Sequence, residues 1–203
     1  MYHLIETKYM SVKKILFLLV VVSVSLTSIY AQEDENKSTS KTIEFLSKDG
    51  SFFKKEFYDL PSIGSSFTYN KIDFQVMILT DLISNKKDGC LRIITYYSSS
   101  ASNDSYIGTL DYDELDACIM CFEKINSDIT VNKPLTYTEV EYKTRDGVQL
   151  GTYWIQENSL WKTYIQTKSY RSRSMSTVPN NKVASLISNL KQAKQMIAEK
   201  ITE

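Results

Sequence analysis

The sequence predicts an α+β protein, an antiparallel β-sheet arrangement with two packing helices, and three observations carry that reading. Runs rich in β-branched and aromatic residues recur along the chain and are punctuated by Asp-Gly pairs at 49–50, 88–89 and 146–147. Such pairs supply the positive φ that a tight hairpin turn requires. Two stretches, Leu115 to Ile125 and Val183 to Ile197, instead place apolar residues at helical spacing. The composition, with 14 Tyr and 8 Phe against 6 Gly and 3 Pro in 203 residues, belongs to a folded chain that leans towards sheet.

Gln32 to Lys41, QEDENKSTSK, holds no apolar residue and is expected to be a disordered tether ahead of a domain at 42–203. Ile43 and Phe45 alternate before Asp49-Gly50, and Phe53 and Phe57 follow, which predicts a first hairpin. Leu60 to Ser66 reads as a loop. The runs 67–83 and 90–98 flank SNKKDG and predict a second hairpin, with Phe74 to Leu79 apolar enough for a central strand covered on both faces. Ser98 to Ser105 reads as a flexible loop. Asp111 and Glu114 then form a capping pair, and Leu115, Cys118, Ile119, Phe122 and Ile125 fall on one helical face.

The second half repeats the order. A hairpin is expected around Asp146-Gly147, another strand over 160–170, and a helix started by Pro179 with Val183, Leu186, Ile187, Leu190, Ala193 and Ile197 on its inner face. The spacing Glu44 to Asp49-Gly50 matches that of Glu141 to Asp146-Gly147. Halves at 42–130 and 131–203 therefore read as an internal duplication, although a hairpin-then-helix order also recurs by chance. In topology alone this order resembles the whirly-type single-strand nucleic-acid binders.

The N-terminus predicts export. Lys13 and Lys14 precede the apolar run Ile15 to Val24, and Ala31 stands before the polar QEDENKSTSK. A basic start, a short apolar core and a small residue at the boundary make a secretory signal peptide over 1–31 with cleavage after Ala31. The run of about 10 apolar residues falls short of the roughly 20 that a stable membrane span needs. An uncleaved anchor remains the alternative if the run is stretched to Ala31. Met10 makes a more natural start than Met1, because Glu6 and His3 sit awkwardly ahead of a leader. This leader resembles those of small exported proteins of Gram-negative bacteria, a likeness that covers the leader alone and implies no activity.

Removing residues 1–31 discards Lys8, Lys13, Lys14 and Glu6, leaving 21 basic (24 less three) and 23 acidic (24 less one) residues and a net charge of −2. Such a chain has no general attraction for nucleic acid or anionic lipid, so no nucleic-acid partner is expected, and contact with membrane comes only through the leader if it stays attached. The single histidine, His3, lies in the leader. The mature chain therefore cannot use Ser–His–Asp or Cys–His activation or histidine-based zinc chemistry. No metal or cofactor is expected, and carboxylate-only chemistry survives the exclusion.

Three groups of residues are candidates for a site. Cys118 and Cys121 form C-x-x-C within DACIMCF, but reactive dithiols sit at helix N-termini, whereas these lie inside a helix behind Asp111, Asp113, Glu114 and Asp116, whose charge opposes a thiolate. Core packing explains them better, and a disulfide between two of Cys90, Cys118 and Cys121 stays open in an oxidising compartment. The acidic run itself lacks the glycine and distal glutamate of a calcium loop and reads as helix capping. Among the aromatic residues, Tyr153, Trp154, Trp161 and Tyr164 are the ligand-binding candidates. Tyr153 and Trp154 are adjacent in a strand and so point to opposite faces, which leaves one of them available for a sugar ring or peptide, against a reading in which all serve cross-strand packing. Lys168, Arg171 and Arg173 read as charge protecting an edge strand.

These features point to an exported, non-enzymatic binding or interaction protein whose partner is a protein or glycan. A carboxylate-dependent enzyme or module acting on glycans is the alternative, and a structural component of the envelope is a third class.

Overall fold

The computed structural model describes residues 39–64 and 71–203. The expected signal peptide at 1–31 and the tether up to residue 38 lie outside the described residues. The fold is α+β, with two four-stranded antiparallel sheets and two long helices. A short helix α1 (Lys41–Leu46) leads into β1 (Phe53–Ile63), β2 (Ile72–Asp81), β3 (Lys87–Ser98) and β4 (Asn103–Asp111), which pair in chain order. A 3-10 turn over Tyr112–Glu114 opens α2 (Leu115–Lys124), which closes in a π-turn at Ile125–Ile129. The second sheet follows as β5 (Glu139–Lys143), β6 (Gln149–Ile155), β7 (Leu160–Gln166) and β8 (Met175–Val178), again in chain order, and α3 (Val183–Thr202) ends the chain.

The alternation of each strand builds one shared core. Phe74, Val76 and Ile78 of β2, Leu91 and Ile93 of β3, and Leu110 of β4 face inward, and Leu150, Ile165 and Val178 meet them from the second sheet. Helix α2 contributes Leu115, Cys118, Ile119 and Phe122, and α3 contributes Val183, Leu186, Leu190, Ala193 and Ile197. Although α3 follows the second sheet in sequence, it packs across β1, β2 and β3 of the first and against α2. Gly89 of β3 lies under it, where an added Cβ would stand 2.7 Å from Ile197 Cγ2. Asn189, buried in α3, donates from Nδ2 to the Pro61 carbonyl at 2.7 Å, next to the register shift between Leu60 and Ile63. The two sequence halves thus fold as one unit, Thr39–Glu203.

Several local expectations are corrected. Ile43 and Phe45 lie in α1, not in a strand, so the first hairpin around Asp49-Gly50 does not form, and the matched spacing to Asp146-Gly147 joins a helix to a strand. Ser40 is buried and caps α1, where the tether was expected to run on to Lys41. The turn after β2 is centred on Leu82–Ser84, while Asp88-Gly89 lie inside β3. Half of the stretch expected as a loop at Ser98–Ser105 is the end of β3 and the start of β4, and β1 runs on to Ile63. The strand at 160–170 stops at Gln166, and β8 forms ahead of Pro179.

Why α1 forms lies 70 residues away. Six residues are too few to be a stable helix alone, but Asp111 accepts from Ser40 Oγ at 2.8 Å, Lys41 N at 2.7 Å and Thr42 N at 3.1 Å. These are donors of the first turn, which otherwise have no intrahelical partner. Helix α1 then lays Phe45 over Met77, Leu79 and Cys90 on the outer face of the first sheet.

The same carboxylate meets the second half through Arg145, whose Nη2 stands 3.0 Å from Asp111 Oδ2. Arg145 also grips Asp113 with both Nη1 and Nη2, and its backbone N–H donates to Glu114 Oε1 at 2.8 Å. Glu114 Oε2 in turn accepts from Asp111 N at 3.0 Å, which is the expected capping pair. Burial pushes the Glu114 carboxyl above its ordinary value, while hydrogen bonding from Arg145 holds Asp113 down at about 2.

Removing one partner from such a buried cluster leaves an uncompensated charge, so Arg145→Ala should lower unfolding stability by about 3 kcal/mol, read as a drop in the urea midpoint. Asp113 has a lower folded than unfolded pKa, so its contribution is complete above about pH 4 and fades as pH falls towards 2. Asp113→Asn should therefore flatten the acid limb of the urea midpoint plotted against pH; an unchanged slope would remove this assignment.

Candidate functional site

Strand pairing puts Trp154 of β6 directly opposite Trp161 of β7, with ring centroids 5.6 Å apart and planes tilted by 59°. Both are on the inner face of the second sheet, at its end away from Leu150 and Ile165. Here the core filling runs out and a pocket of about 310 Å³ opens. The π-turn at the end of α2 supplies Ile125, and the loop after it supplies Val131 and Lys133. Val183 closes the side nearest α3, and Leu160 stands at the rim. Val131 is 70% exposed and Leu160 38%, so apolar surface continues out of the mouth.

The two indoles are buried but not equivalent. Trp161 Nε1 donates to the Asn132 carbonyl at 2.8 Å and so ties the loop after α2 to the sheet. Trp154 Nε1 is buried with no hydrogen-bond partner. An unsatisfied buried donor costs about 1–3 kcal/mol, and folded proteins seldom leave one. No carboxylate lines the pocket, and Lys133 is its one ionisable side chain.

Tyr153 and Tyr164 are on the opposite face of the same sheet, so the four aromatic candidates divide into two pairs. Tyr164 pairs with Gly151, and the missing side chain there lets its ring lie across β6, since a Cβ at Gly151 would come within 3.3 Å of Tyr164 Cε1. Its hydroxyl reaches Glu139 Oε1 at 2.6 Å and Glu141 Oε2 at 2.8 Å. Burial and these two carboxylates push the phenol far above its ordinary range, so it stays protonated. Tyr153 stacks beside it, with centroids 5.8 Å apart, and Tyr137 continues the row.

The remaining candidates are dispersed. Cys90 is buried in the small cluster under α1, whereas Cys118 is buried in the main core on the other side of the first sheet, and Cys121 is half-buried; all three are free thiols. The regular part of α2 begins at Leu115, so Cys118 is one turn inside it. Burial pushes the Cys90 thiol up to about 12 and raises that of Cys118 as well. Asp111, Asp113 and Glu114 converge on the guanidinium of Arg145, which fills the place a cation would take. Lys168, Arg171 and Arg173 belong to the loop between β7 and β8 rather than to an edge strand. Tyr170, at their centre, is 98% exposed with φ of +62°. Sequence reading did not find Lys133 or the loop around it, because only the Trp161 hydrogen bond and the π-turn bring them to the sheet.

Comparison with family models, curated proteins and solved structures returned no match for this chain.

A thiol reagent applied without reductant should titrate three thiols in unfolded protein, and in the native state only Cys121 should react quickly. A count of one in the unfolded protein would show a disulfide and overturn this arrangement.

Proposed function

We propose that the protein is an exported, non-enzymatic binding protein that holds a small ligand between Trp154, Trp161 and the loop after α2. The observation that carries this reading is a pocket walled by two indoles and lined also by Asn126, Thr130, Ser159 and Asn180. Small-molecule sites are concave and mostly apolar, with a few convergent polar groups, and run from about 300 to 1,000 Å³. The pocket fits the small end of that range. Export rests on the basic and apolar leader alone.

Outside the cluster on Arg145, the carboxylate-enzyme alternative has the pair Glu139 and Glu141 to draw on. They stand side by side on one strand and share one phenol, rather than flanking a bound sugar, and neither lines the pocket. That geometry supports binding over glycoside hydrolysis, which places two carboxyls on opposite sides of the scissile bond.

Both tryptophans of the chain are in the pocket wall, so intrinsic tryptophan fluorescence reports on this site alone. Screened against a panel of small sugars, amino acids and organic acids, mature protein should show a saturable change in fluorescence with at least one compound, accompanied by a rise in Tm. Leu160→Glu, a rim substitution, should abolish both responses. A panel silent in both assays, or turnover of any member by purified protein, would refute the reading.

A further inference from the structure

The chemistry of the lining narrows the ligand further, on the footing that this pocket is the binding site. Its walls mix two indoles, Ile125 and Val183 with uncharged polar side chains, Asn126 and Asn180 among them, and Val131 carries apolar surface out past the mouth. Its charge is of one sign. Lys133 is the only ionisable residue that lines it and is exposed, and the ion pairs of the described residues engage other lysines, namely 41, 54, 71, 168, 191, 194 and 200. The Trp154 N–H is sealed from solvent and the Trp161 N–H is engaged by the Asn132 carbonyl, so the two indoles offer a ligand their ring faces rather than a donor.

We infer that the pocket takes a small monocarboxylate with an apolar ring or short chain as its body. A carboxylate offers the negative charge that complements Lys133 and two acceptor oxygens for the polar side chains beside it. A ring or chain of about a dozen non-hydrogen atoms in total fills a site of this volume. A cationic ligand would meet Lys133 with no carboxylate to offset it. Two neighbouring indoles favour flat, apolar bodies over branched polar ones.

Three isosteric probes separate charge from shape: phenylbutanoate, its neutral amide and phenylbutylamine, each titrated into mature protein with tryptophan fluorescence as the readout. Phenylbutanoate should bind saturably, roughly fivefold or more tighter than the amide, as expected of one charge-assisted contact at a partly open mouth. The amine should be weaker still. Lys133→Ala, at an exposed position, should erase the preference of acid over amide, and Lys133→Glu should favour the amine. Raising ionic strength should weaken the acid and leave the amide alone.

Equal binding of acid and amide, or preference for the amine, would overturn the carboxylate assignment while the pocket itself stands. Failure of all three probes would also overturn it. The site as a whole falls only if the broader panel of compounds is silent as well.

Discussion

Asp111 carries a charge at a position almost sealed from water, with only 2% of its side chain exposed, and the surrounding elements are arranged to make that tolerable. A buried carboxylate left unpaired costs several kcal/mol. Here it accepts two N–H groups and a hydroxyl from the first turn of α1 and faces the guanidinium of Arg145. One side chain therefore ties the N-terminal helix, the corner between β4 and α2, and the turn between β5 and β6. Asp146, next to Arg145, extends the junction by accepting from the backbone N–H and hydroxyl of Thr109 at 2.8 and 3.0 Å. In this way the second sheet's hairpin turn satisfies a donor on the edge strand of the first.

Those polar ties work together with an exchange of packing. Helix α3 covers the sheet it does not follow, so neither half can bury its own apolar face without the other. Gly108 marks how closely the halves approach: a Cβ there would stand 2.3 Å from Val148 Cγ2 and 2.7 Å from the Thr167 carbonyl. Nearby, Thr95 bonds to Thr167 and to the Ser174 carbonyl, each at 2.8 Å, across the same junction. The repeated order of strands then helix is present, yet the product is one cooperative core. The pocket follows from this arrangement, because α2 and its π-turn come from the first half and both indoles come from the second.

How much of this was legible in the sequence depended on whether the cause was local. The faces of α2 and α3 were readable because helical spacing of apolar residues states which side is buried. The hairpin at Asp146-Gly147 was readable because Gly147, at φ +85°, takes a conformation that glycine adopts freely. Helix α1 was not, since its stability comes from Asp111 rather than from its own six residues. Strand β4, with Asn103, Ser105 and Gly108, carries loop-like residues, and its pairing with β3 decides its state. At the site, adjacency in a strand correctly divided Tyr153 from Trp154. The pairing of Trp154 with Trp161 and the approach of Lys133 depend on register and on a distant loop, which spacing does not encode.

The position of α1 has a mechanical consequence. Any pull on the chain ahead of Ser40 arrives first at the first turn of that helix, where it is resisted by three hydrogen bonds to a single carboxylate. Those bonds lie in series with the strands behind them, so they yield before β1 is asked to part from β2. Once they yield, Phe45 lifts from Met77, Leu79 and Cys90, and a buried sulfur meets solvent while both sheets remain intact. A pull from that side would therefore be met by the helix before it reached the body that carries the pocket.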